Sequence, residues 1–219
     1  MSDISFLQRF RVTEEEAYDA FNLVRNELWQ RGRGVLWQGS KLEKIDLRYH
    51  RHGYGSRSVA RGVGDIAKDL IGDLKKRLQG KNGKKTTTEG YWWNGYIHIP
   101  RSGFWIVRQA SIEDVFRHEF GHALADLYPE TLKKGGTFRK AFGRTYGEAP
   151  AEERGVDGWE ERYVSEYATS ATQEDFAETF MLFVKHKGKI PAKFAEKPAI
   201  KKKWEAVAEI CRRVAACTE

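Results

Sequence analysis

The chain is poor in cysteine and proline, and none of its apolar runs approaches the length of a membrane span. Cys211 and Cys217 are the only cysteines among 219 residues. Six positions apart on a segment that reads as helix, they face different sides, so no disulfide framework is expected and a reducing compartment is compatible. Neither suggests a metal ligand. Only five prolines and no low-complexity stretch exclude an intrinsically disordered class, while seven Trp, nine Tyr and twelve Phe are ample for a packed core. Met1-Ser2-Asp3-Ile4 does not open a signal peptide. The expectation is a soluble chain without a spanning segment, cytoplasmic or exported by a specialised route, or a domain cut from a larger secreted protein.

Acidic excess is also missing. Net charge is +7 and the isoelectric point is near 9.3. The cations concentrate at Lys75 to Lys85 and at Lys185 to Lys203. Neither cluster interleaves aromatics as a groove for single-stranded nucleic acid does. Nucleic acid is therefore the weaker expectation, and scattered solvated lysines account for the charge.

What is present is His118-Glu119-Phe120-Gly121-His122. On a helix, residues four apart lie one turn above each other, so both imidazoles can face one metal ion. Glu119 then lies beside that ion, where a carboxylate can take a proton from a water on zinc. Ser111 as N-cap, Glu113 and Asp114 in the first turn, and an apolar set from Ile112 to Leu127 predict a helix from Ile112 to Tyr128, stopped by Pro129. The bland alternative is an amphipathic helix with two solvated histidines. Against it, Phe116, Phe120 and Ala123 surround the rings with apolar surface, and burying them unpaired is costly.

The rest of the chain reads as an α+β arrangement. Thr13 caps a helix from Glu14 to Trp29 with Ala17, Phe21, Val24 and Leu28 on one face. Val35–Trp37 and Ile45–Tyr49 read as strands, residues 51–64 as a Gly-rich loop, and Asp65–Leu78 as a second helix. Residues 80–90 read as an exposed turn region. Asn94-Gly95 between aromatic runs signals a hairpin, and Phe104–Val107 a further strand. Tyr96–Ile99 is the expected strand for an extended substrate, with His98 a surface or strand histidine. Residues 133–158 form a charged excursion with a short helix around Phe138–Phe142. A helix from Thr172 to about Lys187 and another from Pro198 or Ala199 to about Ala216 follow.

A catalytic zinc takes three protein ligands and keeps one position for water. Ala125 and Tyr128 stand where one common extension of the motif needs Gly and His. No glutamate lies near Ala141 or Phe142, where another common spacing puts it. Glu174 and Glu178, one turn apart on the Thr172 helix, remain the best sources of the third ligand; Asp175 and Glu166 are weaker substitutes. His50, His52, His98 and His186 lack suitable context.

Read together, His118-Glu119-Phe120-Gly121-His122-Ala123, Tyr167 and Glu174-Asp175-Phe176-Ala177-Glu178-Thr179-Phe180 resemble the catalytic domain of anthrax toxin lethal factor and the Pro-Pro endopeptidases of the same zinc-peptidase group. The resemblance covers His118 to Phe183, and residues between His122 and Tyr167 are not matched in detail. It implies Zn²⁺ held by His118, His122 and Glu174, and Glu119 as general base. It further implies Tyr167 as donor to the developing oxyanion and Glu178 as the carboxylate that orients a ligand histidine. It also implies a zincin-like α+β fold: a small twisted mixed sheet, the metal-binding helix and a helical C-terminal part.

The expected organisation is a single metallopeptidase domain over residues 1–219. Within it, 1–90 has no assigned role, 91–187 is the catalytic core and 188–219 the C-terminal helix. The implied activity is zinc-dependent endopeptidase action on a protein or peptide, in a toxin or effector or in a housekeeping peptidase. Two other readings stay open. One is a DNA-associated zinc protease; the other is an inactive zincin-fold binding module, which is expected to lose Glu119 before its structural residues.

Overall fold

The computed structural model describes residues 12–29, 39–50, 91–100, 111–133, 136–148 and 157–217. The expected strands at 35–37 and 104–107, the loop 51–64, the helix 65–78 and the turn 80–90 lie outside them.

Helix α1 (Glu14–Trp29) begins at a reciprocal cap. Glu16 N–H donates to Thr13 Oγ1 at 3.1 Å, and Thr13 N–H donates to Glu16 Oε2 at 2.8 Å. Its buried face is the predicted one: Ala17, Phe21, Val24 and Leu28. That face packs on α2 (Ile112–Leu127), where Phe21 meets Phe116 edge-on at 5.5 Å and stacks on Phe120 at 5.7 Å. Ser111 caps α2 by accepting the N–H of Asp114 at 3.2 Å. Pro129 does more than end α2: it is the first residue of α3 (Pro129–Lys133), a position where its missing N–H costs nothing.

Strand β1 (Asp46–His50) runs parallel to β3 (Tyr96–Pro100), and β2 (Tyr91–Trp93) pairs antiparallel with β3, giving the order β1-β3-β2 among the described residues. The β2–β3 turn is the predicted hairpin: Asn94 has φ 48° and Gly95 φ 86°, the left-handed pair a two-residue turn demands. Leu47, Ile97 and Ile99 are buried on the α2 side.

One expectation is corrected here. Tyr96–Ile99 cannot add a substrate strand, because β3 is hydrogen-bonded on both sides. His98 is a strand histidine, as expected, but lies inside β3 rather than on the surface. It is 5 % exposed, and its Nδ1 lies 2.8 Å from Nε2 of His50. The register sets Arg48 opposite His98, and His50, two residues beyond Arg48, shares that face of the sheet.

Helices α4 (Thr137–Phe142), α5 (Thr172–Lys185), α6 (Ala192–Ala195) and α7 (Pro198–Ala216) complete the described core. Phe183 of α5 packs on Trp204 of α7 at 5.5 Å. Beneath that contact Lys203 forms a buried ion pair with Asp175 at 2.6 Å and donates to the Arg162 carbonyl at 2.6 Å. Cys211 is buried and Cys217 exposed, and both are free thiols.

α2 and α5 approach each other closely at Gly121. A Cβ placed there would stand 3.1 Å from Ala177 Cα and 3.2 Å from Phe180 Cδ1. Overpacking of this kind costs about 1–3 kcal/mol, while alanine's better helix propensity offsets about 1 kcal/mol. Gly121→Ala is therefore expected to lose up to about 2 kcal/mol in urea titration, and Gly121→Leu more. Equal stability of all three proteins would contradict the close approach.

Candidate metal centre

Three lone-pair atoms converge where α2 crosses α5. His118 Nε2 lies 3.1 Å from His122 Nε2 and 3.1 Å from Glu174 Oε2, and His122 Nε2 lies 3.6 Å from the same oxygen. The helical period aligns the two imidazoles on α2, and Glu174 comes from the first turn of α5. These three residues form the metal-capable cluster found among the described residues.

The donor set can be tested against zinc. Tetrahedral zinc with bonds of about 2.0–2.1 Å holds its ligands about 3.3–3.4 Å apart. The observed edges of 3.1, 3.1 and 3.6 Å bracket that value. Two nitrogens and one oxygen also suit zinc as a ligand set. The residues fit the ion.

Each imidazole is held from behind. A carboxylate can only accept, so His118 Nδ1–H donates to Glu178 Oε1, at 2.8 Å. Glu178 Oε2 in turn accepts from Ser165 Oγ at 2.6 Å. His122 Nδ1 lies 2.9 Å from the hydroxyl of Tyr146. Burial alone lowers the pKa of His118, but hydrogen bonds to Glu174 and Glu178 and the nearby charges of Glu178 and Glu119 outweigh it, raising it to about 10. Burial likewise opposes ionisation of Glu174, yet its contacts with His118 and His122 hold it well below the usual carboxylate range.

Glu119 is buried at the same place. Burial pushes its pKa up against the pull of His122 and His118, and the backbone N–H of Trp92 donates to it. Trp92 makes a second tie from β2 to α2, its Nε1–H donating to Asp126 Oδ2 at 2.9 Å.

Residues 112–207 match the model of a family described as "putative zinc-binding metallo-peptidase". The match covers less than half of the chain, but it includes both imidazoles, Glu119, Glu174 and Lys203. It supports a zinc metallopeptidase, and hence a hydrolase, in general terms. No curated protein and no solved structure matches the chain.

The structure brings His118, His122, Glu119, Glu174 and Glu178 together. Tyr167 is near, its ring 5.8 Å from that of His118, and it opens a 3-10 turn (Tyr167–Ser170) rather than lying in a strand. Asp175 is turned away, paired with Lys203, and exposed Glu166 directly precedes the Tyr167 turn. His50 and His98 face each other in the sheet, and His186 ends α5. Tyr146 and Ser165 were not anticipated. Both contacts arise from loops whose placement only tertiary packing reveals, although Tyr146 is flagged by its place between Gly143 and Gly147.

A zinc ion must displace the proton that His118 holds, so binding and pH are linked. A histidine whose folded pKa is raised stabilises the metal-free chain fully below its ordinary value of 6.5, and that stabilisation is lost as pH rises towards 10. Zinc affinity should move the opposite way, increasing up to about tenfold per pH unit from about pH 6.5 to 8, with roughly one proton released. Calorimetry in buffers of different ionisation enthalpy reads that proton. Uptake without proton release would contradict the arrangement.

Proposed function

We propose that the chain is a zinc-dependent endopeptidase of zincin-like architecture, acting on a protein or peptide. The observation that carries this reading is the triangle of His118 Nε2, His122 Nε2 and Glu174 Oε2, with a buried carboxylate on the residue next to the first histidine. The family match and the resemblance to lethal-factor-like peptidases point the same way.

On this reading His118, His122 and Glu174 hold the ion. When bound, zinc supplies Lewis acidity that acidifies a water and polarises the peptide carbonyl. Glu119 takes the water's proton on a carboxylate oxygen and returns it to the nitrogen of the departing amine. Burial raises its pKa, which favours the proton-holding form that this exchange needs. Tyr167 donates its hydroxyl hydrogen to the carbonyl oxygen as negative charge develops there. Glu178, anchored by Ser165, fixes the His118 tautomer.

The substrate strand falls to β2 in place of β3. Among the described residues β2 is an edge strand, and the Trp92 N–H that reaches Glu119 sets this edge against the assigned base. An extended peptide laid along it presents its backbone to Glu119.

Cleavage of a degenerate peptide library, abolished by a chelator and restored by zinc, is the expected activity. Glu119→Gln is expected to fold and keep stoichiometric zinc while cleavage falls by roughly 10²–10⁴. Undiminished cleavage by that variant removes Glu119 as the base.

A further inference from the structure

His118 and His122 are braced by chemically different partners. Behind His118 stands the carboxylate of Glu178; behind His122 stands a phenol. A hydroxyl can donate or accept, so its polarity decides which nitrogen of His122 is free. We propose that Tyr146 is a positioning residue for the metal site: its oxygen accepts the Nδ1 proton of His122 and keeps the Nε2 lone pair turned toward His118 and Glu174. This inference rests on the zinc reading above and adds to it a residue that the motif does not contain.

The turn that carries Tyr146 is built to hold it still. Gly143 closes α4 at φ 78°, and Gly147 follows the tyrosine at φ 88°, both left-handed positions that favour glycine. Across the turn Thr145 N–H donates to Glu148 Oε2 at 3.1 Å and Glu148 N–H donates to the Thr145 carbonyl at 3.2 Å. The phenol ring packs edge-on against Phe138 at 5.8 Å and Phe176 at 6.0 Å. Two well-packed rings therefore fix the hydroxyl's position, rather than a mobile side chain offering it.

The same turn reaches the other ligand helix. Thr172 Oγ1 donates to the Glu148 carbonyl at 3.0 Å, and Thr172 is the first residue of α5, two before Glu174. A single six-residue turn thus touches His122 through Tyr146 and the start of the Glu174 helix through Glu148. The opposite polarity is chemically distinct. If the phenol donated to Nδ1, the His122 proton would sit on Nε2, and one metal donor would be lost.

Zinc affinity measured by competition with a chelating dye, on wild type and Tyr146→Phe, tests this. The phenylalanine keeps the ring packing and removes only the acceptor. The expected result is zinc binding weakened about 10–100-fold. Nitrogen-15 NMR should also show His122 as the Nδ1–H tautomer in wild type and as a tautomer mixture in the metal-free variant, with His118 unchanged. Equal zinc affinity, or an Nε2–H tautomer in the wild type, overturns the inference while leaving the zinc reading intact. Failure of the wild type to take up zinc overturns both. If Tyr146→Phe does not fold, the wild-type tautomer alone decides.

Discussion

Everything at the centre depends on how closely α2 and α5 approach. Two imidazoles at helical spacing need only a local helix. The carboxylate that completes the set sits 52 residues beyond His122, and it reaches them only because the helices nearly touch at Gly121 and Ala177. The glycine between the two histidines is therefore part of the site without touching a ligand: its missing side chain is the space in which the second helix lies.

Around this contact the buried charges of the described residues are paired. Glu174 and Glu178 face the imidazoles, Asp175 on the neighbouring face of the same helix pairs with Lys203, and Lys203 also packs over the Tyr163 ring at 4.0 Å. One turn before His118 on α2, Asp114 is bridged at 2.6 Å by Arg117, which also pairs with Glu27 of α1 at 2.8 Å, and Lys185 of α5 closes the set on Asp114. Removing one member of such a pair leaves an uncompensated buried charge, which is costlier than the pair is stabilising. These networks fix the rotation of α2 and α5 about their axes, and so which faces meet. In a core this apolar, rotation is what decides whether donor atoms converge.

Much of this was legible in the sequence wherever the signal is local. The cap at Ser111, the helix through His118 and His122, the Thr13–Glu16 cap, the Asn94-Gly95 turn and the helices starting at Thr172 and Pro198 follow from spacing and turn chemistry. The approach of Glu174 and Glu178 to the imidazoles came from a resemblance, since nothing in the spacing chooses between the two carboxylates. Strand order was not legible. β1 and β3 pair in parallel across a long intervening stretch, and the alternation that identifies a strand says nothing about its neighbours. The same limit hid the His50–His98 contact. Tyr146 and Ser165 were missed because a residue that braces a ligand from a loop carries no period and no motif.

The central claim is that two imidazole nitrogens and one distant carboxylate oxygen hold one zinc ion. X-ray absorption at the zinc edge, on protein loaded with one equivalent, measures that set directly. The account predicts four nitrogen or oxygen neighbours at about 2.0–2.1 Å, with multiple-scattering features of two imidazoles. A first shell with sulfur, with three or more imidazoles, or with waters alone would contradict it.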